Sequence, residues 1–202
     1  MKETKKKPLI IGLTGPIASG KNEVCKILRR RGAYVIEADK VGHEIMKPQR
    51  AVWHNIVRTF GSKILMAGGK VNRRKLGELV FGNPKLLKKL NKIMHPVMKE
   101  KITKEIRDRK SEIGKLIVIN AAVLKEMELI SLVDEVWVVL ADKKKRLNRL
   151  VKKGLSRERA LARIRVQKAD KDYIKIADKV IRNNGTKKRL KEEILKIMKA
   201  RF

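Results

Sequence analysis

The chain has 202 residues, 43 % of them hydrophobic and 37 % charged, with a formal net charge of +32 from 53 Lys plus Arg against 21 Asp plus Glu. That hydrophobic content excludes a disordered chain, the length suits one α/β domain with a full core, and no apolar run reaches the ~18 residues of a membrane span. The single cysteine, Cys25, excludes an internal disulfide and fits a reducing, cytoplasmic location.

Met1 to Lys7 reads as a basic, frayed tail before the first strand, not a signal peptide. The apolar run Leu9-Ile10-Ile11 then leads into Gly12-Leu13-Thr14-Gly15-Pro16-Ile17-Ala18-Ser19-Gly20-Lys21-Asn22, and a helix-compatible segment from Glu23 to Arg31 leaves it. Strand, Gly-rich loop, helix is the context of a phosphate-binding loop, and Gly15 and Gly20 have the spacing of G-x-x-x-x-G-K. Glycines let the backbone curl so that successive N–H groups face phosphate oxygens, and the helix that follows adds the positive end of its dipole. Lys21 supplies a point charge near the outer phosphates. The pattern normally ends in Ser or Thr, whose hydroxyl binds Mg²⁺. Asn22 stands there instead, and its amide oxygen is a candidate Mg²⁺ ligand. Cys25, on the helix, reads as a small buried apolar residue.

Gly32 caps that helix, Tyr34-Val35-Ile36 is a short buried strand, and Glu37-Ala38-Asp39 opens a helix running to about Met46. Ligands of open parallel sheets bind at the carboxyl ends of strands, so Asp39 is expected beside the phosphate loop. A helix from Ala51 to Phe60, a turn or small hairpin from Ile64 to Val71, and a helix from Arg73 to Phe81 follow. Asn83-Pro84 caps a helix from Lys85 to Ile93, the pair His95-Pro96 is expected to interrupt it, and a long helix runs from Val97 to about Lys110. So much helix between two strands predicts an inserted helical subdomain.

Leu116-Ile117-Val118-Ile119 and Val136-Trp137-Val138-Val139-Leu140 are buried central strands. A helix from Lys143 to Lys152 stops at Gly154, and Ser156 caps another from Arg157 to about Lys168. Val180-Ile181 is a last strand, Asn183-Asn184-Gly185 a turn, and Lys187 to Arg201 a terminal helix. Strands alternating with helices predict a parallel α/β sheet. Basic residues fall on nearly every helix, among them Lys85, Lys88, Lys89, Lys92, Lys143 to Lys145, Lys187, Lys188 and Arg189. Such spreading describes a general lysine bias with solvated faces, and predicts salt-sensitive, non-specific binding to polyanions.

Taken together, these segments resemble the dephospho-CoA kinases. The resemblance rests on Gly12-Leu13-Thr14-Gly15 with Ser19-Gly20-Lys21, on Val35-Ile36-Glu37-Ala38-Asp39, and on Val71-Asn72-Arg73 with Val80-Phe81. It continues through His95-Pro96, Leu124-Lys125-Glu126, the run from Arg149 through Gly154-Leu155-Ser156 to Arg163 and Gln167, and Ala177-Asp178-Lys179-Val180-Ile181-Arg182-Asn183. It implies a P-loop NTPase fold of the nucleoside-monophosphate-kinase type: a core of residues 1–42, 112–142 and 176–202, a helical substrate-binding insertion over about 43–111 and a lid over about 143–175. It implies transfer of the γ-phosphoryl of ATP to the ribose 3′-hydroxyl of dephospho-CoA, with Mg²⁺.

The resemblance also implies roles. Gly15, Ala18, Ser19, Gly20, Lys21, Asn22 and Glu23 hold the nucleotide phosphates, and Asn183 lies near the adenine. Arg149 closes over the transferring group, assisted by Lys153, where the family has arginine. Asp39 accepts or orients the proton of the attacking hydroxyl, and Arg73 and His95 meet the substrate. His43, near Asp39, is open between a substrate contact and a surface residue. Four departures stand out. Asn22 replaces the metal-binding hydroxyl, Pro16 stands where the family has glycine, Glu37 replaces aspartate, and Asn120, ending the third strand, removes an acidic residue. Two alternatives stay open at this level: a P-loop kinase of another small hydroxyl substrate, such as a nucleoside or a shikimate-like acid, and a basic nucleic-acid-binding protein on a P-loop fold. The scarcity of aromatics for base stacking, 3 % of the chain, speaks against the second.

Overall fold

The computed structural model describes residues 7–109 and 116–200. Most of the basic tail, Lys110 at the end of the long expected helix, and Arg201 lie outside the described residues. The chain divides into two compact units, Met1–Ile36 with Arg109–Phe202, and Glu37–Asp108.

The first unit is built on a five-stranded sheet of β1 (Leu9–Thr14), β2 (Tyr34–Glu37), β3 (Leu116–Asn120), β4 (Glu135–Leu140) and β5 (Lys179–Arg182), in the order β2-β3-β1-β4-β5. The pairs β1–β3, β1–β4 and β4–β5 are parallel. The central strands are apolar runs because both sheet faces are covered: Ile11, Leu13, Val118, Val139 and Ile181 are fully buried. They pack with Val24, Cys25 and Leu28 of α1 (Lys21–Arg29) and with Leu190 and Ile194 of α9 (Lys187–Lys199). Two carboxylates satisfy backbone donors along the sheet, Asp134 accepting from Ile10 N at 2.8 Å and Asp178 from Val136 N at 2.7 Å. The Ala-Asp pair that looks like a family signature at 177–178 therefore has a structural task. Register places Leu13 of β1 opposite Asn120 of β3, which brings the carboxyl ends of both strands to the start of the Gly-rich loop.

Three helices lie between β4 and β5: α6 (Lys143–Val151), α7 (Arg157–Arg165) and α8 (Asp170–Ile174). Ser156 caps α7 as expected, accepting from Arg159 N. The chain stops being helical sooner than the sequence predicts, at Arg165, and restarts at α8. Asp170 and Asp172 in the first turn of α8 favour that new start. Leu147, Leu150, Ala160 and Ile164 form a small core of their own, and Ile17 and Ala18 of the Gly-rich loop pack against it. Residues 121–134 form a connection with a 3-10 turn at Leu129–Leu132, for which the sequence had suggested no element.

The second unit contains α2 (Ala38–Ile45), α3 (Ala51–Phe60), α4 (Arg73–Phe81) and α5 (Pro84–Arg109). An isolated antiparallel bridge, Leu65 to Val71, makes the expected small hairpin. Asn72 and Asn83 cap α4 and α5 with their side chains. The expected interruption at His95-Pro96 does not occur: α5 is one helix with Pro96 inside it. Proline removes one backbone donor and crowds the preceding turn. Met94, Met98, Ile102 and Ile106 are all buried on this helix, and their burial outweighs that local cost. Gly42 of α2 lies where a side chain would press on the methyls of Met98 and Met94. Among the described residues, no helix is long and apolar enough to cross a membrane.

Candidate active site

The loop between β1 and α1 keeps its shape through its glycines and its neighbours. Gly15 has φ 140°, and a Cβ there would collide with the Val139 carbonyl oxygen of β4. Gly20 has φ 110°, and a Cβ there would collide with the Asn183 side-chain amide. Ala18, a residue with a Cβ, is nevertheless held at φ 58°. The Lys21 ammonium curls back over the loop and donates to Gly15 O at 2.7 Å and Pro16 O at 3.3 Å. Ser19 is fully buried, and among the described residues its Oγ is the buried side-chain polar atom without a hydrogen-bond partner. A buried hydroxyl in that state is costly unless a ligand completes it. A curled loop with an ammonium, a helix N-terminus and an unsatisfied hydroxyl is suited to phosphate oxygens.

Two arginines of α6 grip this loop. Arg149 donates through Nη1 to Ala18 O at 3.0 Å and Ser19 O at 2.9 Å, and through Nη2 to Asn183 O at 2.8 Å. Asn183, itself buried, donates its side-chain amide to Ser19 O at 2.8 Å and its backbone N–H to Leu140 O. Ala18, Ser19, Gly20, Arg149 and Asn183 thus meet at one place.

Arg146, one turn earlier, is 5 % exposed. Its Nε donates to Ile17 O at 3.0 Å and its Nη2 to Gln167 Oε1 at 2.7 Å, while the same Oε1 accepts from Ile17 N at 2.7 Å. Arg146 and Gln167 therefore clamp residue Ile17 by both its donor and its acceptor. Burial pushes the Arg146 guanidinium below its usual range, and Asp170, 3.9 Å away, opposes that shift. The sequence alone assigns Arg146 no role. The signal available was its spacing of three from Arg149, which puts both on one helix face. A further ion pair, Lys168 with Glu126, ties the segment after α7 to the 121–134 connection and raises the Lys168 pKa, chiefly through that hydrogen bond.

At the end of β3, Asn120 Nδ2 donates to Asn22 Oδ1 at 3.3 Å. The two departures from the expected pattern are in contact with each other. Thr14 Oγ1 donates to Ala122 O at 3.2 Å just beyond. Glu23, expected among the nucleotide contacts, pairs with Lys26 at 2.9 Å, a bond that lowers its pKa.

Within the second unit, Asp39 is exposed at the first turn of α2, two residues beyond the end of β2. His43 lies one turn later and hydrogen-bonds the Arg73 guanidinium at the start of α4. Arginine can only donate, so the His43 Nε2 that it meets is the unprotonated acceptor. Burial and the Arg73 charge push the His43 pKa down, against an upward pull from Asp39. Asp39, His43 and Arg73 are thereby electrostatically linked. His95 is half-buried inside α5, away from any helix start.

Residues 9–189 match the family model described as dephospho-CoA kinase. The chain is 42 % identical over 190 residues to the dephospho-CoA kinase of Carboxydothermus hydrogenoformans, covering 94 % of this chain and 92 % of that one. A crystal structure of a Thermus thermophilus protein, TT1252, superposes with a TM-score of 0.81 at 29 % identity, over 98 % of this chain and all of that one. The dephospho-CoA kinase structure from Campylobacter jejuni superposes with a TM-score of 0.68 at 28 % identity, over 94 % and 95 % of the two chains.

Proposed function

The chain belongs to the dephospho-CoA kinase family, and from that premise we propose how its residues share the work. The activity is phosphorylation of dephospho-CoA, with ATP as co-substrate. The finer reading is transfer of the γ-phosphoryl to the ribose 3′-hydroxyl. Such transfer asks for positioning and charge neutralisation more than for covalent chemistry. The observation that carries the assignment of the loop is the buried, unpartnered Ser19 Oγ inside a cradle with Lys21 and the N-terminus of α1.

Gly15, Ala18, Ser19, Gly20 and Lys21 hold the phosphates of ATP in this reading, and Asn183 lies at the adenine side. Arg149 acts from behind the loop: its two terminal nitrogens already hold three carbonyls, so it fixes the loop's shape and lends its charge. When the lid shuts, the same guanidinium closes over the transferring group. Asp39 accepts the proton of the attacking hydroxyl, a role supported by its place just past the carboxyl end of β2. Arg73, oriented by His43, meets an anionic group of the substrate. The helical unit Glu37–Asp108 serves as the substrate-binding insertion and residues 143–175 as the lid. The amide oxygen of Asn22 is a donor of the hard, neutral kind that would hold Mg²⁺, and the ion would supply charge neutralisation for the transferred phosphoryl group. A cytoplasmic location fits a chain whose single cysteine can form no internal disulfide.

The test is ADP release coupled to a dehydrogenase readout, with and without dephospho-CoA, in the native protein and in Asp39→Asn. Turnover should require dephospho-CoA, and the variant should lose about 10²-fold or more in kcat while ATP affinity holds. A folded, ATP-binding protein without turnover would sink the reading of the reaction. An Asp39→Asn enzyme at native kcat would remove Asp39 from it.

A further inference from the structure

We propose that Asn22 and Asn120 act as one neutral amide pair at the metal position of this site, so that the protein binds metal-free ATP nearly as well as Mg²⁺–ATP. The inference rests on reading the loop as an ATP site. P-loop enzymes generally hold the cation with two protein groups, a loop Ser or Thr and an Asp at the end of a neighbouring strand. Here Asn22 occupies the first position, directly after Lys21. Asn120 ends β3, the strand hydrogen-bonded to β1, in register with Leu13. Both are amides, and they are bonded to each other, Asn120 Nδ2 to Asn22 Oδ1 at 3.3 Å. Among the described residues, no group of three or more His, Cys, Asp or Glu is arranged to hold a metal ion.

The consequence is electrostatic. A carboxylate at the end of β3 would attract a divalent cation and repel the bare phosphates of ATP, and both effects make nucleotide binding depend on the cation. A neutral amide does neither. Asn22 Oδ1 keeps a second lone pair after accepting from Asn120, so it can still meet a cation that arrives on the phosphates. Asn120 donates to Asn22, so a change at one is felt at the other. The chain as a whole is strongly basic, which favours the bare polyanion further.

Isothermal titration of ATP in excess Mg²⁺ and in EDTA tests this directly, with melting curves to show that each variant is folded. The ratio of the two dissociation constants should stay below about tenfold in the native protein and rise to about tenfold or above in Asn120→Asp, mainly through weaker metal-free binding. Asn22→Thr should raise the ratio more in the Asn120→Asp background than alone, because the two side chains are in contact. A native ratio of tenfold or above, an Asn120→Asp ratio below it, or additive effects of the two changes would overturn the proposal. Loss of ATP binding by the native protein in both buffers would instead strike down the reading of the loop on which it rests.

Discussion

Gly20 carries two demands that no other residue type meets together. Its φ of 110° lies in the region that side chains avoid, and the space where a Cβ would stand is held by the Asn183 amide. Gly20→Ala should therefore displace Asn183 and, through it, the bond to Ser19 O and the Arg149 contact that it shares. Overpacking of this kind costs about 1–3 kcal/mol, so a lowered melting temperature is expected along with loss of ATP binding. Gly32→Ala is the control. Gly32 also has a positive φ, 85°, but no atom lies near its missing Cβ. That variant should lower stability by backbone strain alone and leave ATP affinity at the native value. Calorimetric melting and ATP titration of the two variants separate the shape of the site from the strain of a turn.

At the scale of elements, α6 and Gln167, two residues beyond α7, determine where the loop sits. Arg146 and Gln167 hold Ile17 at both ends, and Ile17 and Ala18 also complete the small apolar core of α6 and α7. Polar and apolar contacts thus tie the same two loop residues to the same helices. Arg146→Lys keeps a charge but loses the fork that serves Ile17 O and Gln167 together. Gln167→Ala removes the acceptor from Ile17 N. Each should raise KM for ATP by about tenfold while KM for dephospho-CoA stays unchanged, since the clamp touches only the nucleotide loop. A purely structural role would lower stability and move neither constant, so steady-state kinetics in both substrates decide the matter. Much of this architecture was legible in advance: apolar runs announced β1, β3 and β4, and the loop spacing announced its own turn. What was not legible depended on distance in space. The bond between Asn22 and Asn120 joins residues far apart in the chain and has no local signal. Arg146 looked like any surface arginine because burial comes from packing against Ile17. Pro96 misled for the opposite reason. Its local preference was clear, and four buried side chains on α5 overrode it.

Across the whole molecule, the charge of +32 sets conditions that no single site explains. With 53 Lys plus Arg against 21 Asp plus Glu, acids are too few to match the bases one to one, and a pair such as Arg74 with Glu78 is exposed and worth little. A protein in this state attracts anions broadly, substrates and bystanders alike. Both substrates of the reaction are anionic, so a polyanion such as heparin should compete for the field that draws them in. At about 50 mM salt, heparin is expected to inhibit by raising KM for ATP and dephospho-CoA together, with kcat unchanged. Release of counterions on binding makes that inhibition steeply salt-dependent, so it should vanish by about 0.5 M salt. Initial rates at a series of heparin and salt concentrations measure this. Inhibition that persists at high salt would indicate a dedicated polyanion site with short-range contacts, and a diffuse surface charge would no longer account for it.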